Sequence, residues 1–377
     1  MATCTRRFAI LLALLACGAS AQAGALEIII GQCAPLTGSL ARTGEAMTQG
    51  TRIAVEAANA AGGVHGQKIR LLQRDDAYDS ERTVSCTQDM IRKDKAVALI
   101  GYAGTGNLAE LLNRQVLAEA NIALIAPYTG GSALRDPFNP WIFHIRAGYD
   151  DETRTMVDQF VATRVKRIAV FYQNDAFGQT GLAGVEKALE RYKIRIVAKG
   201  SYEKNTENID AAVNEILKGN PQAVIMAAIT RPAALFVKQM VDRSPGLQIF
   251  SISVVNAEDI YRIAGDEFAR GVGITQVMPS PFSGTLKVVR EYQDAMKQHA
   301  PGQSLSYASF EEYVGARVLI EGLKKAGPSP SPTAVLKALE TLKLDLGGYK
   351  VSFGPKQRAG SSFVEVTTIG QHGRHLR

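Results

Sequence analysis

The amino-acid sequence predicts an α/β protein built from two lobes of similar architecture, with a cleft between them. Strand-like apolar runs alternate with helix-like runs along most of the 377 residues, which is typical of a parallel sheet covered by helices on both faces. The alternation pauses at residues 127–149, which are rich in Pro, Gly and Asn, and then restarts. A chain of this length also favours two domains over one.

The first set of elements lies before this pause. Residues 26–32 (LEIIIGQ) form a continuous apolar run, which predicts a buried strand. Residues 44–61 are rich in Ala and amphipathic, and the two glycines that follow are a typical signal for the end of a helix. The same reasoning predicts strands at residues 68–73, 96–100 and 122–126 and helices at residues 80–93 and 109–120.

The second set follows the pause and repeats the pattern. Strands are predicted at residues 167–172, 194–199, 223–228 and 248–252, and helices at residues 152–163, 182–191, 209–218 and 232–243. Two long helical stretches (284–299 and 306–326) and a β-like tail (346–353 and 363–369) complete the chain. In open α/β sheets ligands bind beyond the carboxyl ends of the strands, so we expect the functional residues in the strand-to-helix turns.

Composition excludes some classes of function. Hydrophobic residues make up 46% of the chain and charged residues 21%, which is ordinary for a soluble globular protein. The net charge of +7 is spread along the sequence and no block of Lys and Arg is present. We therefore expect no nucleic-acid partner.

The N-terminus predicts export. Arg6 and Arg7 precede an apolar run at residues 8–16, and Ala21-Gln22-Ala23 has the small-x-small pattern of a cleavage site. We expect residues 1–23 to be a signal peptide and the mature chain to start near Gly24. Lipid anchoring at Cys17 is the alternative, because the residues before it loosely resemble a lipoprotein processing site.

Two of the four cysteines, Cys33 and Cys86, remain after this cleavage. An oxidising compartment permits a disulfide between them, which would add about 2–4 kcal/mol to the stability of the fold. Two separate buried thiols are the alternative. Neither cysteine belongs to a CxxC motif, so the sequence does not favour redox catalysis or a zinc site.

The turn after the third predicted strand, residues 102–107, has the composition of an anion-binding loop. It joins a strand to a helix and offers backbone N–H groups, the Thr105 hydroxyl and the Asn107 amide. Its glycines lack the Rossmann spacing, no Lys-Ser/Thr pair follows, and the turn contains no cation for a polyphosphate. A single carboxylate therefore fits best, and Thr105 as a plain N-cap is the alternative.

The next strand ends in similar chemistry. Residues 127–132 (PYTGGS) bring Tyr128, Thr129 and flexible backbone N–H groups to the same edge of the predicted sheet. In the second lobe, residues 172–184 form a Gly-rich turn with Phe177 at its tip. An aromatic side chain at a loop tip would be exposed unless it lines a site.

Signals of catalysis are missing from the sequence. The five histidines share no ligand or catalytic spacing, and neither a G-x-S-x-G nor an HExxH motif occurs. The acidic cluster at residues 150–152 lies at a predicted helix start, where such charges are usually structural. We therefore expect a protein that is not an enzyme and uses no cofactor or metal, with an exported hydrolase or dehydrogenase as a remote alternative.

Six motifs in this order resemble the branched-chain amino-acid-type periplasmic substrate-binding proteins of ABC transporters. They occur at residues 34–38 (APLTG), 101–105 (GYAGT), 127–131 (PYTGG), 174–181 (NDAFGQTG), 263–271 (IAGDEFARG) and 307–319 (YASFEEYVGARVL). Each motif is weak alone, whereas the ordered set is specific and covers essentially the whole mature chain.

The resemblance implies two Rossmann-like lobes of the type I, Venus-flytrap kind, joined by a three-stranded hinge. It places residues 24–147 with 278–342 in lobe 1 and residues 148–277 with 343–377 in lobe 2. The implied crossings lie near residues 146–149, 276–279 and 342–347.

The resemblance also implies the binding residues. In lobe 1 two turns would hold the carboxylate of the ligand, and in lobe 2 an aromatic residue and the turn after the strand at 223–228 would cover it. Carried over to this sequence, these residues are Ala103, Gly104, Thr105, Tyr128, Thr129 and Gly130 in lobe 1, and Phe177 with Thr230 or Arg231 in lobe 2.

The sequence departs from the family at Ser253. Amino-acid binders of the family usually place an acid there to neutralise the ammonium group of the ligand, and an unpaired buried ammonium costs several kcal/mol. A carboxylate without an amine, or an amide-like or other neutral polar compound, therefore fits better than a standard amino acid. Arg231 would then serve a second anionic group, or else lie exposed.

The function implied is capture of a small polar ligand and its delivery to an ABC permease in the inner membrane. We expect a periplasmic protein that acts as a monomer. A sensing module that presents the bound molecule to a membrane receptor is the alternative, because it would use the same fold and pocket.

Overall fold

The computed structural model describes residues 27–376, so the predicted signal peptide and Cys17 lie outside the described residues. The first part of the chain builds a parallel five-stranded sheet with helices on both faces. Its elements are β1 (Ile28–Ala34), α1 (Ala41–Ala60), β2 (Ile69–Asp75), α2 (Ser80–Arg92), β3 (Ala98–Ile100), α3 (Thr105–Asn113), α4 (Val116–Ala120), β4 (Leu124–Ile125) and β5 (Ile142–Phe143). The strand order is β2-β1-β3-β4-β5, with Ile30 of β1 aligned to Leu71 of β2 and to Ala98 of β3.

The middle of the chain builds the second lobe. Its elements are α5 (Tyr149–Ala162), β6 (Ile168–Gln173), α6 (Ala176–Glu190), β7 (Lys199–Tyr202), α7 (Asp210–Lys218), β8 (Ala223–Ala227), α8 (Thr230–Arg243), β9 (Gln248–Ser251), α9 (Ala257–Ala264), α10 (Asp266–Ala269) and β10 (Gly273–Gln276). The strand predicted at 194–199 begins later, at Lys199, although the Val197 N–H already donates to the Ile168 carbonyl of β6 at 2.9 Å.

The last part of the chain returns to the first lobe and then to the second. Its elements are α11 (Lys287–His299), α12 (Tyr307–Ala326), α13 (Pro332–Glu340), β11 (Lys343–Asp345), β12 (Lys350–Ser352), β13 (Glu365–Ile369) and β14 (His375–Leu376). Strands β13 and β14 join the second sheet, whose order is β14-β13-β10-β9-β8-β6-β7. Only the pairs made by β13 and β14 are antiparallel in that sheet.

Both sheets are buried on both faces, which explains why their strands read as continuous apolar runs. In the first lobe, Ile30 and Ile100 pack with Leu319 of α12 on one face, while Leu99 and Leu124 pack with helices α2 to α4 on the other. This arrangement confirms the predicted fold of two α/β lobes with a type I periplasmic-binding-protein topology. Among the described helices, none has the length and apolar character that a membrane span requires.

The chain crosses between the lobes three times, and the third crossing differs from the prediction. The hairpin β11–β12 folds back so that the Phe353 N–H donates to the Leu342 carbonyl at 2.9 Å, and its apolar side chains join the core of the first lobe. Residues 354–360 also stay with the first lobe, because the Gly360 N–H donates to the His144 carbonyl at 2.7 Å. The chain therefore crosses between Gly360 and β13, rather than near residues 342–347 as expected, and β13 is the first element after it in the second sheet. The assignment of residues 343–360 to lobe 2 is corrected accordingly.

The side chain of Tyr349 connects two of the three crossings. It is buried in the core of the first lobe, and its hydroxyl lies 2.7 Å from the Ile145 carbonyl and 3.3 Å from the Val277 carbonyl. Ile145 precedes the first crossing and Val277 begins the second.

The two cysteines left open by the sequence are bonded to each other. Cys33, at the end of β1, forms a disulfide with Cys86 of α2, and their Cα atoms are 6.4 Å apart. The bond links the strand to a helix on one face of the first sheet, close to the turns that begin the cleft.

Candidate functional site

The turn after β3 leads into the N-terminus of α3. Gly101 and Gly104 adopt φ values of +64° and +93°, a region that favours glycine, and the helix begins at Thr105. Gly104 occupies the N-cap position and no side chain caps the helix, so Thr105 is not the plain N-cap considered above. A ligand in the cleft is therefore able to accept hydrogen bonds from the first N–H groups of α3.

The turn after β4 lies directly against this helix start. Ala103 pairs with Tyr128, whose N–H donates to the Tyr102 carbonyl at 2.8 Å. The hydroxyl oxygens of Thr105 and Thr129 are 2.7 Å apart and both side chains are fully buried. We call these two turns the hydroxyl turns, residues 103–105 and 128–130. The six residues predicted for the first lobe are thus brought together.

Two glycines of the hydroxyl turns allow aromatic rings to approach the backbone. A Cβ atom at Gly130 would lie 2.6 Å from Cδ1 of Tyr149, and one at Gly104 would lie 2.6 Å from Cε2 of Tyr78. Contacts this short force the neighbouring group to move, so glycine is favoured at both positions. The Tyr149 N–H also donates to the Gly130 carbonyl at 2.8 Å, which ties the start of α5 to the first lobe.

Phe177 belongs to the second lobe and is buried in the same apolar cluster as Ala103 and Tyr128 of the hydroxyl turns. Asp175 caps α6 by accepting from the N–H groups of Phe177 and Gly178, at 3.0 and 3.1 Å, which fixes the tip of the loop. The ring of Phe177 is buried and packs edge-to-face on Tyr149, with 5.6 Å between ring centroids. Phe177 and Tyr128 belong to one apolar cluster that continues across the cleft.

The other two residues predicted for the second lobe, Thr230 and Arg231, lie in different environments. Thr230 begins α8, and its hydroxyl accepts from the Asn256 N–H at 3.1 Å, so it supports the turn that follows β9. Arg231 pairs with Glu207 and 56% of its side chain is exposed. The structure therefore places Arg231 in a surface ion pair, the second of the two expectations stated for it.

Ser253 lies at the centre of a buried polar cluster, which contains an acid, Glu152, from another part of the chain. Glu152, from the first turn of α5, accepts from the Ser253 N–H at 2.7 Å and from its hydroxyl at 3.1 Å. Glu152 also accepts from the Thr275 hydroxyl at 2.6 Å. The guanidinium of Arg146 donates to the Ser253 hydroxyl and lies 3.3 Å from Glu152.

Arg146 is the cation of this cluster. Its side chain is fully buried, it lies 5.2 Å from the ring centroid of Tyr128, and its Nη1 atom is 3.4 Å from Glu311 of α12. Burial acts to lower the pKa of Arg146, but Glu311 and Glu152 outweigh it and raise the pKa. Within the described residues, Nε and Nη1 donate no hydrogen bond.

Two consecutive acids of α12 lie beneath Arg146. Burial raises the pKa of Glu311 to about 7, although Arg146 acts in the opposite direction. Burial, together with the neighbouring Glu311, raises the pKa of Glu312 well above its ordinary value. Neither oxygen of Glu312 has a hydrogen-bond partner among residues 27–376. The protonated form of Glu312 is therefore favoured, and it adds little negative charge to the cleft.

Polar contacts also join the lobes at the mouth of the cleft. The Gln173 amide donates to the Tyr78 hydroxyl at 3.3 Å, and Arg42 pairs with Asp259 at 2.9 Å. Lys204 donates to the Asn107 side chain at 3.1 Å, so the second lobe supplies a cation to a turn whose own sequence contains none. These contacts hold the two lobes in a closed arrangement.

The sequence reasoning did not identify Tyr78, Tyr149, Arg146 or Glu152 as site residues. Tyr78 has a φ of +61° in the turn after β2, and nothing in its neighbourhood marks it. Glu152 lies in the first turn of a helix, where an acidic side chain is usually structural. Its role depends on Ser253, which is 101 positions away, and a single sequence carries no signal of that pairing. Within residues 27–376, no group of three or more His, Cys, Asp and Glu side chains is placed to hold a metal ion.

Known proteins resemble this chain over most of its length. The Leu/Ile/Val-binding protein homolog 2 of Brucella abortus (strain 2308) is 25% identical over 347 residues, covering 91% of this chain and 88% of the relative. A substrate-binding periplasmic protein from Ralstonia solanacearum is 37% identical, with a TM-score of 0.87 over 91% of this chain and 98% of that one. A possible leucine/isoleucine/valine-binding protein from Rhodopirellula baltica SH 1 is 29% identical, with a TM-score of 0.88 over 94% of this chain and 97% of that one.

The sequence model of the family described as "Periplasmic binding protein" matches residues 27–373, which is nearly the whole described chain. The names of these relatives describe binding proteins rather than enzymes. The chain belongs to the periplasmic binding protein family, and its relatives are of the Leu/Ile/Val-binding type.

Proposed function

We propose that this exported protein captures a small carboxylate-bearing ligand, amino-acid-like or amide-like, between its two lobes and delivers it to an ABC permease. The hydroxyl turns carry this proposal. Two buried threonine hydroxyls lie 2.7 Å apart at the N-terminus of an uncapped helix, where hydrogen-bond donors and the helix dipole favour a single negative charge.

The second lobe completes the site and couples binding to closure. Phe177 covers the hydroxyl turns, and the Arg146 guanidinium beside Ser253 holds donors that a polar acceptor on the ligand would satisfy. A ligand that touches both lobes stabilises the closed arrangement relative to an open one. The closed protein is the form that we propose the permease recognises.

Electrostatics beside Ser253 disfavour a standard ammonium group. Glu152 already accepts from Ser253, Thr275 and Arg146, so the Arg146 guanidinium compensates its negative charge. The names of the relatives support amino acids as ligands of the family. For this chain we propose a carboxylate whose second polar group is an acceptor.

A thermal-shift screen of the purified mature protein against amino acids, aliphatic and aromatic carboxylates and amides tests the proposal. Thr105→Val and Thr129→Val remove one hydroxyl each and keep the shape of the side chain. A hydrogen bond to a charged group contributes about 1.5–3 kcal/mol, so each variant should bind the best ligand about tenfold to a hundredfold more weakly.

Thr163→Val is the matched control, because the Thr163 hydroxyl bonds only to carbonyls at the C-terminal end of α5. It should keep the wild-type affinity. Unchanged affinity in both the Thr105 and the Thr129 variants would overturn the proposed carboxylate site.

A further inference from the structure

A cavity of about 670 Å³ lies along one flank of the cleft. Its first-lobe wall comes from α1 and the start of α12, and its second-lobe wall from residues 254–259 and 372–375. We call it the flank cavity. Because its walls belong to both lobes, it exists only while the lobes are closed, and any occupant would favour closure.

The flank cavity borders the hydroxyl turns at Tyr128, which lines the cavity and is adjacent in the chain to Thr129. Val254, which also lines the cavity, follows Ser253 in the chain. A ligand held at Thr129 by its carboxylate could therefore extend past Tyr128 into the flank cavity.

The volume is larger than a short aliphatic side chain fills. Pockets that enclose drug-sized ligands measure about 300–1,000 Å³, and 670 Å³ lies in the middle of that range. An isopropyl or isobutyl group would leave most of the flank cavity to water. The cavity therefore has room for a larger group than valine or leucine carries.

Three aromatic rings from separate parts of the chain line one end of the cavity. Phe282 stacks on His375 with 5.9 Å between centroids and meets Tyr307 edge-to-face at 6.0 Å, and His375 lies 4.9 Å from Tyr307. Burial lowers the pKa of His375 to about 4, so its imidazole is neutral and behaves as an aromatic ring. Phe282 is 50% exposed, which leaves part of its ring open for a further partner.

We infer that the flank cavity is the specificity pocket of the site and takes an aromatic ring of the ligand. This inference rests on the proposed function, because the carboxylate of the same ligand occupies the hydroxyl turns. A ring at this position would pack against Phe282 in the offset or edge-to-face geometries that aromatic groups prefer. The ligand class is a carboxylate that carries an aromatic ring and lacks an ammonium group.

Calorimetry on the whole mature protein tests this inference with two matched pairs of probes. 3-Phenylpropionate is compared with propionate, and L-phenylalanine with L-alanine, so that each pair differs by the ring and the two pairs differ by the ammonium group. We expect at least one aromatic probe to bind about tenfold or more tightly than its ring-free counterpart. Equal affinities within both pairs, or no binding of either aromatic probe, would overturn the inference.

Phe282→Ala should remove the advantage of the aromatic probe and leave the ring-free probe unchanged. Since Phe282 is half exposed, the variant keeps the core intact. Phe138→Ala is the matched control: Phe138 is 45% exposed and packs on Arg358, and its replacement should leave both affinities as they are. A ring advantage that survives in Phe282→Ala would rule out the flank cavity as its source.

The two proposals fail in different ways. Thr129→Val should weaken the aromatic and the ring-free probe alike. If Thr129→Val weakens binding and Phe282→Ala does not, the carboxylate site stands and the ring pocket is wrong. If Phe282→Ala removes the ring advantage while neither threonine variant changes any affinity, the cavity binds the ring and the carboxylate site is wrong.

Discussion

Arg146 of the first crossing and Glu152 of the second lobe form an ion pair of 3.3 Å in which both side chains are fully buried. Glu311 approaches the same guanidinium from the first lobe at 3.4 Å. One cation therefore serves carboxylates from both lobes, next to the serine that replaces the expected acid. Such a cluster depends on every member, because removing one leaves buried charge without compensation.

Arg146→Gln should destabilise the protein strongly. It leaves Glu152 and Glu311 buried without their cation, and the loss of one partner of a buried pair costs about 3–5 kcal/mol. Urea unfolding followed by circular dichroism measures the change. Arg231→Gln is the control, because the Arg231–Glu207 pair is about half exposed and contributes about 1 kcal/mol or less. A loss in Arg146→Gln no larger than in the control would contradict the structural role of the cluster.

Gly130→Ala should lower both stability and ligand affinity. The new Cβ atom would lie 2.6 Å from the Tyr149 ring and 2.7 Å from its nitrogen, so the start of α5 has to move away from the hydroxyl turns. We expect a cost of about 1–3 kcal/mol, measured by thermal unfolding and by titration with the best ligand of the screen.

The control for this substitution is Gly284→Ala. A Cβ atom there would lie no closer than 3.8 Å to its nearest neighbour, Cγ of Arg290. Gly284→Ala should change neither the thermal stability nor the ligand affinity. Wild-type stability in Gly130→Ala would show that Tyr149 does not pack as closely as described.

Glu311 should make the stability depend on pH. Its folded pKa of about 7 lies above the ordinary value of 4.5, so the folded protein binds a proton that the unfolded chain has already released. The stabilising contribution is present below pH 4.5 and is lost as the pH rises through 7. At about 1.4 kcal/mol per pKa unit, its full size is about 3 kcal/mol.

The measurement is the difference in unfolding free energy between wild type and Glu311→Gln from pH 4.5 to pH 8. The wild-type curve alone is not sufficient, because burial lowers the pKa of His144 and acts with the opposite sign in the same range. Glu321→Gln, on the same helix but in a surface pair with Lys324, is the control. A difference that does not change with pH would show that Glu311 does not titrate in this range.

Leucine, isoleucine and valine should bind weakly or not at all. Their ammonium group would approach the Arg146 guanidinium at Ser253, where relatives are expected to place an acid. Leucine and 4-methylpentanoate differ only by the amino group, so comparing them by calorimetry isolates its effect. We expect the compound without the amine to bind more tightly. Micromolar affinity for any of the three amino acids would overturn this interpretation of Ser253.

Much of the fold was predictable because its signals are local. Buried parallel strands appear in the sequence as apolar runs. The Gly-rich segments after β3 and β4 directly indicate the hydroxyl turns. Phe177 was likewise marked by its place at the tip of a loop. In each of these cases the residues that make the feature are neighbours in the chain.

Other features depend on partners that are far apart in the chain. In the sequence, Glu152 has the position of an ordinary helix-start acid, and only the fold places it against Ser253. Arg146 similarly lies in a crossing, and its partner Glu311 is 165 positions later in the chain. The hairpin β11–β12 was assigned to the wrong lobe because its apolar residues suit either core. The hydrogen bond from Phe353 back to Leu342 and the packing of the hairpin in the first core assign it to the first lobe.

The hydroxyl of Tyr349 touches the backbone of two crossings while its ring stays fixed in the first lobe. Atoms close to a rotation axis move least when two rigid bodies swing apart. A rotation of the lobes about these crossings would therefore leave both bonds of Tyr349 in place. Substitutions at Tyr349 would then change the ease of opening without touching the hydroxyl turns.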